Sequence, residues 1–127
     1  MPIPSIVTKE FQENVTPFEV LAILKEGNQR FLKNEKIERD FDKQRENLKS
    51  AQHPIAIILG CIDSRVPSEI IFDLGLGDVF NVRVAGNILN DDVLGSLEFA
   101  CKVVGAKLIV VMGHTDCGAI KAACNGI

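Results

Sequence analysis

Two short stretches of the sequence combine residue types that bind metal ions: CIDSR at residues 61–65 and HTDC at residues 114–117. Each stretch follows an apolar run, and thiolate sulfur and imidazole nitrogen are preferred ligands of zinc. Cys117 also stands at the predicted start of a helix, where the helix dipole favours a thiolate. Two thiolates and one imidazole leave a fourth tetrahedral position free, as catalytic zinc sites do. The pattern therefore predicts a catalytic Zn²⁺ site with Cys61, His114 and Cys117 as ligands.

Asp63 and a water molecule compete for that fourth position. Zinc with two thiolates and a neutral imidazole has no net charge, so a carboxylate and a hydroxide would exclude each other there. The planar guanidinium of Arg65 is suited to hold Asp63 by two parallel hydrogen bonds, which would draw the carboxylate away from the metal. We therefore predict that Asp63 and Arg65 form a catalytic dyad, with Asp63 as fourth ligand in a closed state.

A single buried cysteine is more often a core residue than a ligand, because the thiol behaves as a small hydrophobic group. On that ground Cys101 and Cys124 are interpreted as structural. Cys61 and Cys117 differ from them through the joint pattern, C-x-D-x-R after one strand and H-x-x-C after another. The sequence has no C-x-x-C pair and no G-x-G-x-x-G spacing, so neither thioredoxin-like exchange nor a dinucleotide site is indicated.

Length and charge exclude several classes of partner. The 127 residues suit one compact domain. With 14 basic and 17 acidic residues the net charge is −3, and no basic block is present, so a nucleic-acid partner is not expected. The longest uncharged apolar stretch has about ten residues, half of what a membrane span needs. The start of the chain does not resemble a signal peptide, so we expect a cytoplasmic protein with reduced cysteines.

The elements that must position the site follow an alternating pattern. Short β-rich runs predict three strands: residues 55–60, 79–84 and 107–113. Helix-like stretches lie between them: residues 67–74 and 91–104, the second followed by Gly105 as a stop signal. This order predicts an α/β fold with a mostly parallel central sheet and flanking helices. Ligands of such sheets lie beyond the carboxyl ends of the strands, where Cys61 and His114 stand.

The first 50 residues predict an amino-terminal helical arm. Thr16, Pro17 and Glu19 form a capping box that opens a helix. The apolar stripe expected to be buried on that helix is Leu21, Leu24, Asn28 and Phe31. Residues 1–15 show no period, and the charge-rich residues 33–49 are expected to be a solvated helical hairpin or arm. We predict two regions within one structural domain: an arm at 1–50 and a zinc-binding α/β core at 51–127.

With these residues identified, the sequence resembles the β-class carbonic anhydrases. CIDSR and HTDCGA are similar to that family's two metal-binding motifs, and the similarity extends from about Gln52 to Cys124. The resemblance implies the same three zinc ligands, with the Asp63–Arg65 dyad opening the fourth position. It also implies that Gln52 reaches the substrate of a neighbouring subunit and that Phe80 lines the carbon dioxide pocket. Family members are dimers or dimers of dimers, so the expected partners are carbon dioxide or bicarbonate and further copies of this chain.

The resemblance implies zinc-dependent, reversible hydration of carbon dioxide to bicarbonate and a proton by zinc-bound hydroxide, a lyase reaction. Two alternatives stay open. Hydrolases of carbonyl sulfide or carbon disulfide resemble the same family, and a non-catalytic zinc-stabilised fragment or assembly module would keep the same ligands. The second alternative arises because family chains continue well beyond the H-x-x-C helix, whereas this sequence ends at Ile127.

Overall fold

A helical amino-terminal region precedes alternating strands and helices in a computed structural model, which describes residues 2–126. The helices are α1 (Lys9–Asn14), α2 (Pro17–Leu32), α3 (Phe41–Asn47), α4 (Ser68–Ile71), α5 (Asp91–Glu98) and α6 (Gly118–Cys124). The strands are β1 (Ala56–Gly60), β2 (Val79–Arg83) and β3 (Leu108–Val111). All three predicted strands are therefore confirmed, each within a few residues of its expected bounds. Within the described residues, no helix is both long and apolar enough to cross a membrane.

The three strands form one parallel sheet in the order β2-β1-β3. β1 lies in the middle, with Gly60 opposite Arg83 of β2 and Leu59 opposite Val111 of β3. All five residues of β1 are buried, as expected of a central parallel strand covered on both faces. The predicted α/β fold is confirmed, and the carboxyl ends of all three strands meet at one edge of the sheet.

The central strand β1 contributes to two apolar clusters. Ala56, together with Ile55 just before the strand, packs with arm residues, namely Val7, Val15, Val20 and Ile23. Ile57 and Leu59, which share one face of the strand, pack with residues of α5 and the segment after it, namely Val93, Leu97, Ala100 and Ala106. Burying one such aliphatic side chain contributes about 1.5–3 kcal/mol. The arm thus shares the core of the sheet, while the division into regions 1–50 and 51–127 stays a prediction.

The helix predicted at 91–104 is present, with a change of winding in its second half. Asn90 caps α5 by accepting a hydrogen bond from the backbone N–H of Val93 at 2.9 Å. Residues Phe99–Val104 continue as a π-helical segment. Gly105, at φ 103°, ends it in the left-handed conformation that glycine adopts most easily. The predicted stop signal is thus confirmed.

Helix α2 begins as predicted but buries a different stripe. The Thr16 hydroxyl accepts from the Glu19 N–H, and the Glu19 carboxylate accepts from the Thr16 N–H, which confirms the capping box. The predicted apolar stripe is only partly correct. Leu24 is buried, but Leu21 is 38% exposed, and the buried face consists of Val20, Ile23, Leu24 and Gly27. The stripe is rotated because α2 approaches the end of α4 through Gly27, where only a residue without a side chain fits.

One part of the arm differs from expectation, and a second agrees with it. Residues 1–15 include the short helix α1, capped by the Thr8 hydroxyl. Its Gln12 is buried and donates to the carbonyl of Pro54 at 2.8 Å, so the helix is anchored by the core. The charge-rich segment was expected to be a helical hairpin or an arm, and it is an arm that holds one short helix, α3.

Candidate metal centre

Three potential metal ligands meet at the carboxyl edge of the sheet. The donor atoms of Cys61, His114 and Cys117 all lie within 4.8 Å of one another. The two sulfur atoms are 3.9 Å apart, and both cysteines are free thiols that are buried in the fold. Residues 56 positions apart along the chain are thereby brought into contact.

The sheet and α6 place these three side chains. Cys61 directly follows the buried central strand β1, and His114 comes three residues after β3 ends at Val111. Because the strands are parallel and adjacent, both side chains emerge at the same edge. Cys117 is the N-cap residue of α6, so its sulfur lies beside the positive end of that short helix.

His114 has the hydrogen bonding of a metal ligand. Its Nδ1 lies 2.8 Å from the backbone carbonyl of Thr115. A carbonyl only accepts, so Nδ1 carries a proton in this contact. The other ring nitrogen, Nε2, is buried and makes no hydrogen bond of normal geometry among residues 2–126, although Cys61 lies close enough for the two side chains to shift each other's pKa. A buried imidazole nitrogen without a partner, facing two thiols, suits a soft or borderline divalent metal such as zinc.

The surroundings of Cys61 favour its thiolate. The backbone N–H of Asp63, then His114, then the backbone N–H of Gly86 lower the pKa of Cys61 from 9.0 to about 6, against the opposing effect of burial. The Gly86 nitrogen lies 3.3 Å from the sulfur. The same proximity raises the pKa of His114 above its ordinary value, with the Cys61 side chain as the main cause. A metal binds the thiolate and not the thiol. Because the pKa of Cys61 is lowered, a metal has to displace less of the thiol proton than at an ordinary cysteine.

Asp63 and Arg65 form a two-pronged ion pair at the rim of this cluster. Arg65 Nε donates to Asp63 Oδ1 at 2.9 Å, and Arg65 Nη2 donates to Asp63 Oδ2 at 2.7 Å. These bonds hold the pKa of Asp63 well below its usual range. Oδ2 of the same carboxylate is 3.8 Å from His114 Nε2, so the carboxylate borders the space that the three donors enclose. Arg65 also donates to the carbonyl of Asp116 at 3.2 Å, which links the two motifs.

Two residues near the cluster were missed at the sequence level. Arg83 ends β2 and donates to the backbone carbonyls of Cys61 and Asp63 at 2.7 and 2.6 Å. Gly86, at φ 71°, directs its N–H at the Cys61 sulfur, and a β-carbon there would lie 3.2 Å from Ile120 Cδ1. The available signal was a charged residue at the end of a mostly apolar strand, followed three residues later by a glycine.

Gln52 and Phe80 do not reach the cluster of their own chain. Gln52 is exposed and precedes β1, whereas Cys61 follows it, so the full length of the strand separates them. Phe80 pairs with Ile57, about 13 Å back along the sheet from Cys61 at roughly 3.3 Å per residue. Phe80 instead stacks near Phe99, with ring centroids 6.4 Å apart, beside an open groove between β2 and α5.

The arrangement can hold one divalent cation through two sulfur atoms and one nitrogen, with the fourth side bordered by a carboxylate. Such a donor set makes a Lewis-acid site rather than an electron-transfer site if the metal is zinc.

Comparison with known proteins agrees with this geometry. The family model described as carbonic anhydrase matches residues 56–127. Carbonic anhydrase 2 of Mycobacterium tuberculosis is 47% identical over 116 residues, which cover 90% of this chain and 56% of that protein. The carbonic anhydrase of Mycolicibacterium smegmatis is 44% identical over 115 residues, with the same coverage of 90% and 56%. The chain thus spans about half the length of these relatives.

The solved structures that share this fold include β-carbonic anhydrases. The enzyme of Aspergillus fumigatus superposes with a TM-score of 0.63 at 33% identity, over 84% of this chain and 50% of that one. One of two tetrameric enzymes of Sordaria macrospora gives a TM-score of 0.60 at 33% identity, over 62% of this chain and 42% of that one.

Proposed function

The chain belongs to the β-class carbonic anhydrases, and from that premise we propose that it catalyses the zinc-dependent, reversible hydration of carbon dioxide to bicarbonate and a proton. The proposed ligands are Cys61, His114 and Cys117, and the proposed catalytic dyad is Asp63 with Arg65. The matched residues cover only 56% of the relative on which the proposal draws, so the activity of this shorter chain is itself part of the proposal.

The unpartnered Nε2 of His114 carries the proposal. A buried polar atom without a hydrogen bond costs roughly 1–3 kcal/mol, and a native fold keeps one only where something else satisfies it. This atom faces two buried thiols, one of which has its pKa lowered to about 6. A metal ion bound by all three would satisfy the nitrogen and use the thiolate.

Zinc, when bound, would supply a Lewis acid that acidifies a coordinated water and so generates the attacking nucleophile. The residues of the chain direct this chemistry. Asp63 would accept a hydrogen bond from the nucleophile, and it remains an acceptor at neutral pH because its pKa is low. Arg65 would keep the carboxylate from taking the fourth position itself, since both carboxylate oxygens are engaged by its guanidinium.

A homodimer or dimer of dimers is part of the proposal. Gln52 and Phe80, proposed to contact carbon dioxide or bicarbonate, lie too far from the metal ligands of their own chain. They can serve a site only if a second copy brings them to it. We also propose that the protein acts in the cytoplasm, as its reduced cysteines suit.

The experiment that tests this function combines zinc content with stopped-flow carbon dioxide hydration on the purified chain. The expected result is one zinc per chain and hydration above the buffer rate. Cys117→Ser should lose the zinc, because a hydroxyl is a much poorer ligand than a thiolate. Cys124→Ser is the matched control, since Cys124 is exposed at the end of α6.

Each other outcome has a definite meaning. Stoichiometric zinc in Cys117→Ser would remove Cys117 from the ligand set. One zinc per wild-type chain with no hydration would favour the non-catalytic assembly module, and the same assay with carbonyl sulfide would identify the sulfur-substrate alternative.

A further inference from the structure

We propose that Arg83 is a positioning residue that fixes the backbone of residues 61–63, and with it the relative placement of the Cys61 sulfur and the Asp63 carboxylate. This inference rests on the proposed function for its chemical purpose. Its structural content, a brace between β2 and the segment after β1, can be tested without any metal.

Arg83 makes two short hydrogen bonds to the backbone of residues 61–63. Nε donates to the carbonyl of Cys61 at 2.7 Å, and Nη2 donates to the carbonyl of Asp63 at 2.6 Å. The planar guanidinium holds its donors in a fixed fork, so two bonds from one fork set the spacing between the two carbonyls. Charged donors also make hydrogen bonds about twice as strong as neutral ones.

The brace is anchored on a rigid part of the sheet. Arg83 is the last residue of β2 and pairs in register with Gly60 of the central strand. Directly after it, the N–H of Val84 donates to the Gly60 carbonyl at 3.0 Å. The guanidinium is therefore carried by a strand whose position relative to β1 is already fixed.

Residues 61–63 need such a brace because the side chain of the middle residue packs against little of the protein. Ile62 lies between the two braced carbonyls and is 61% exposed, so burial of its side chain does little to hold the segment. The ladder of β1 ends at Gly60. Hydrogen bonds must then define the path of the chain between the ligand Cys61 and the carboxylate of Asp63.

Arg83 and Arg65 act on different parts of the same residue. Arg65 holds the side chain of Asp63, whereas Arg83 holds its backbone carbonyl. That carbonyl also accepts from the Val66 N–H at 3.2 Å, and the Arg65 N–H donates to Asp63 Oδ1 at 2.9 Å. The amides of Arg65 and Val66 therefore report directly on how firmly Asp63 is held.

Amide hydrogen exchange of the metal-free chain, followed by NMR, tests the brace. In Arg83→Met we expect the Arg65 and Val66 amides to exchange about tenfold faster, the factor that loss of one hydrogen bond of ordinary strength gives. Amides of β1 should be unchanged. Arg45→Met is the matched control, because Arg45 makes only an exposed ion pair with Asp42 on α3. Unchanged exchange at both reporter amides in Arg83→Met would overturn the proposal.

Zinc affinity and a conservative variant give the second readout. We expect Arg83→Met to bind zinc about 10- to 100-fold more weakly than Arg45→Met, as is typical when a partner of a metal ligand is removed. Arg83→Lys should fall between the two, since one ammonium cannot hold both carbonyls in a fixed geometry. Arg83→Lys with wild-type exchange and affinity would show that charge alone suffices, and would overturn the bracing role.

Failure of this inference and failure of the proposed function give different results. A wild-type chain that binds no zinc refutes the function, yet the exchange rates of the metal-free variants still decide the role of Arg83. If Arg83→Met does not fold, the comparison of Arg83→Lys with Arg45→Lys decides: faster exchange at the two reporter amides supports the brace, and equal exchange refutes it.

Discussion

At the scale of single residues, the sulfur of Cys61 has several stabilising neighbours. The Asp63 N–H, the His114 ring and the Gly86 N–H all favour its thiolate, and together they outweigh the cost of burial. Cys101 shows the contrast, because burial without such donors raises the pKa of its thiol. Two cysteines of one small fold thus differ in chemistry through a few backbone N–H groups and one imidazole.

We therefore expect a thiolate titration with a midpoint near 6 in the metal-free chain, where an ordinary thiol would titrate near 9.0. Since the folded pKa is the lower one, this thiolate stabilises the fold fully above pH 9, and the contribution disappears as the pH falls through about 6. The ultraviolet absorbance of the thiolate follows the titration. The step should be absent in Cys61→Ser and retained in Cys101→Ser; its survival in Cys61→Ser would contradict the assignment.

Arg65→Ala should keep zinc and lose hydration. Without the guanidinium, the Asp63 carboxylate is free to move toward the metal ligands, since its Oδ2 already lies 3.8 Å from His114 Nε2. We expect a loss of about 10- to 100-fold in hydration rate, typical of removing a group that orients a metal site. Zinc content is measured together with the hydration rate, because a slow variant that retains zinc has a blocked fourth position, whereas one without zinc has lost the metal. Arg45→Ala is the control for removing one positive charge. Full activity in Arg65→Ala would contradict the proposal that Arg65 keeps Asp63 out of the fourth metal position.

Residue types in a motif predict side-chain chemistry better than they predict backbone contacts. Cys61, His114 and Cys117 were selected because sulfur and nitrogen donors are rare and follow strand ends. Arg83 and Gly86 act through two backbone carbonyls and one backbone N–H, groups that every residue possesses. Their importance becomes visible only once β2 is known to lie beside β1.

At the scale of elements, α2 locks onto the end of α4. A β-carbon on Gly27 would collide with the carbonyl oxygen of Phe72, so the two backbones touch there. Asn28 beside it donates to the Ile71 carbonyl at 2.9 Å. One turn later, Arg30 pairs with the buried Asp73 at 2.6 Å. The arm is therefore attached to the segment that follows the CIDSR motif.

Gly27→Ala should accordingly destabilise the fold by about 1–3 kcal/mol, the usual cost of overpacking. Gly95→Ala is the matched control in α5, where a β-carbon would meet no heavy atom within 4 Å among the described residues. That variant should be more stable than wild type by about 0.4–1 kcal/mol, because alanine restricts the unfolded chain. Urea unfolding of both variants gives their free energies of unfolding. Equal values would show that α2 and α4 can move apart enough to accommodate a β-carbon at Gly27.

Element types followed from local sequence where the local signal was strong. The buried central strand β1 is a uniform apolar run, and α2 has a complete capping box. Helix α1 was missed because six residues are too few to be stable without tertiary contacts, here the bond from Gln12 to Pro54. The stripe on α2 was misjudged for a related reason, since the partner surface chose which face is buried.

At the scale of the whole molecule, one chain brings together the three proposed metal ligands but not all the residues proposed to complete the site. Gln52 lies at the opposite end of β1 from Cys61, and the groove beside Phe80 is open. Large apolar side chains are also exposed on the outer strand β3, where Ile109 and Val111 are 45% and 63% exposed. Exposed apolar surface of this kind marks contact sites, which supports the proposed assembly.

Mixing two variants that we expect to be inactive by themselves tests whether sites are completed across subunits. Gln52→Ala keeps the metal ligands, and Cys117→Ser keeps Gln52, so a mixed dimer contains one site with both. If Gln52 acts on the partner's site, equal mixing with subunit exchange should restore about one quarter of wild-type hydration, because half the dimers are mixed and half their sites are complete. Recovery should appear on the time scale of exchange, followed by mass spectrometry of labelled subunits. Cys124→Ser mixed with Cys117→Ser provides the reference for dilution by an inactive partner. If mixed dimers form but the hydration rate does not rise, Gln52 does not act on the partner's site.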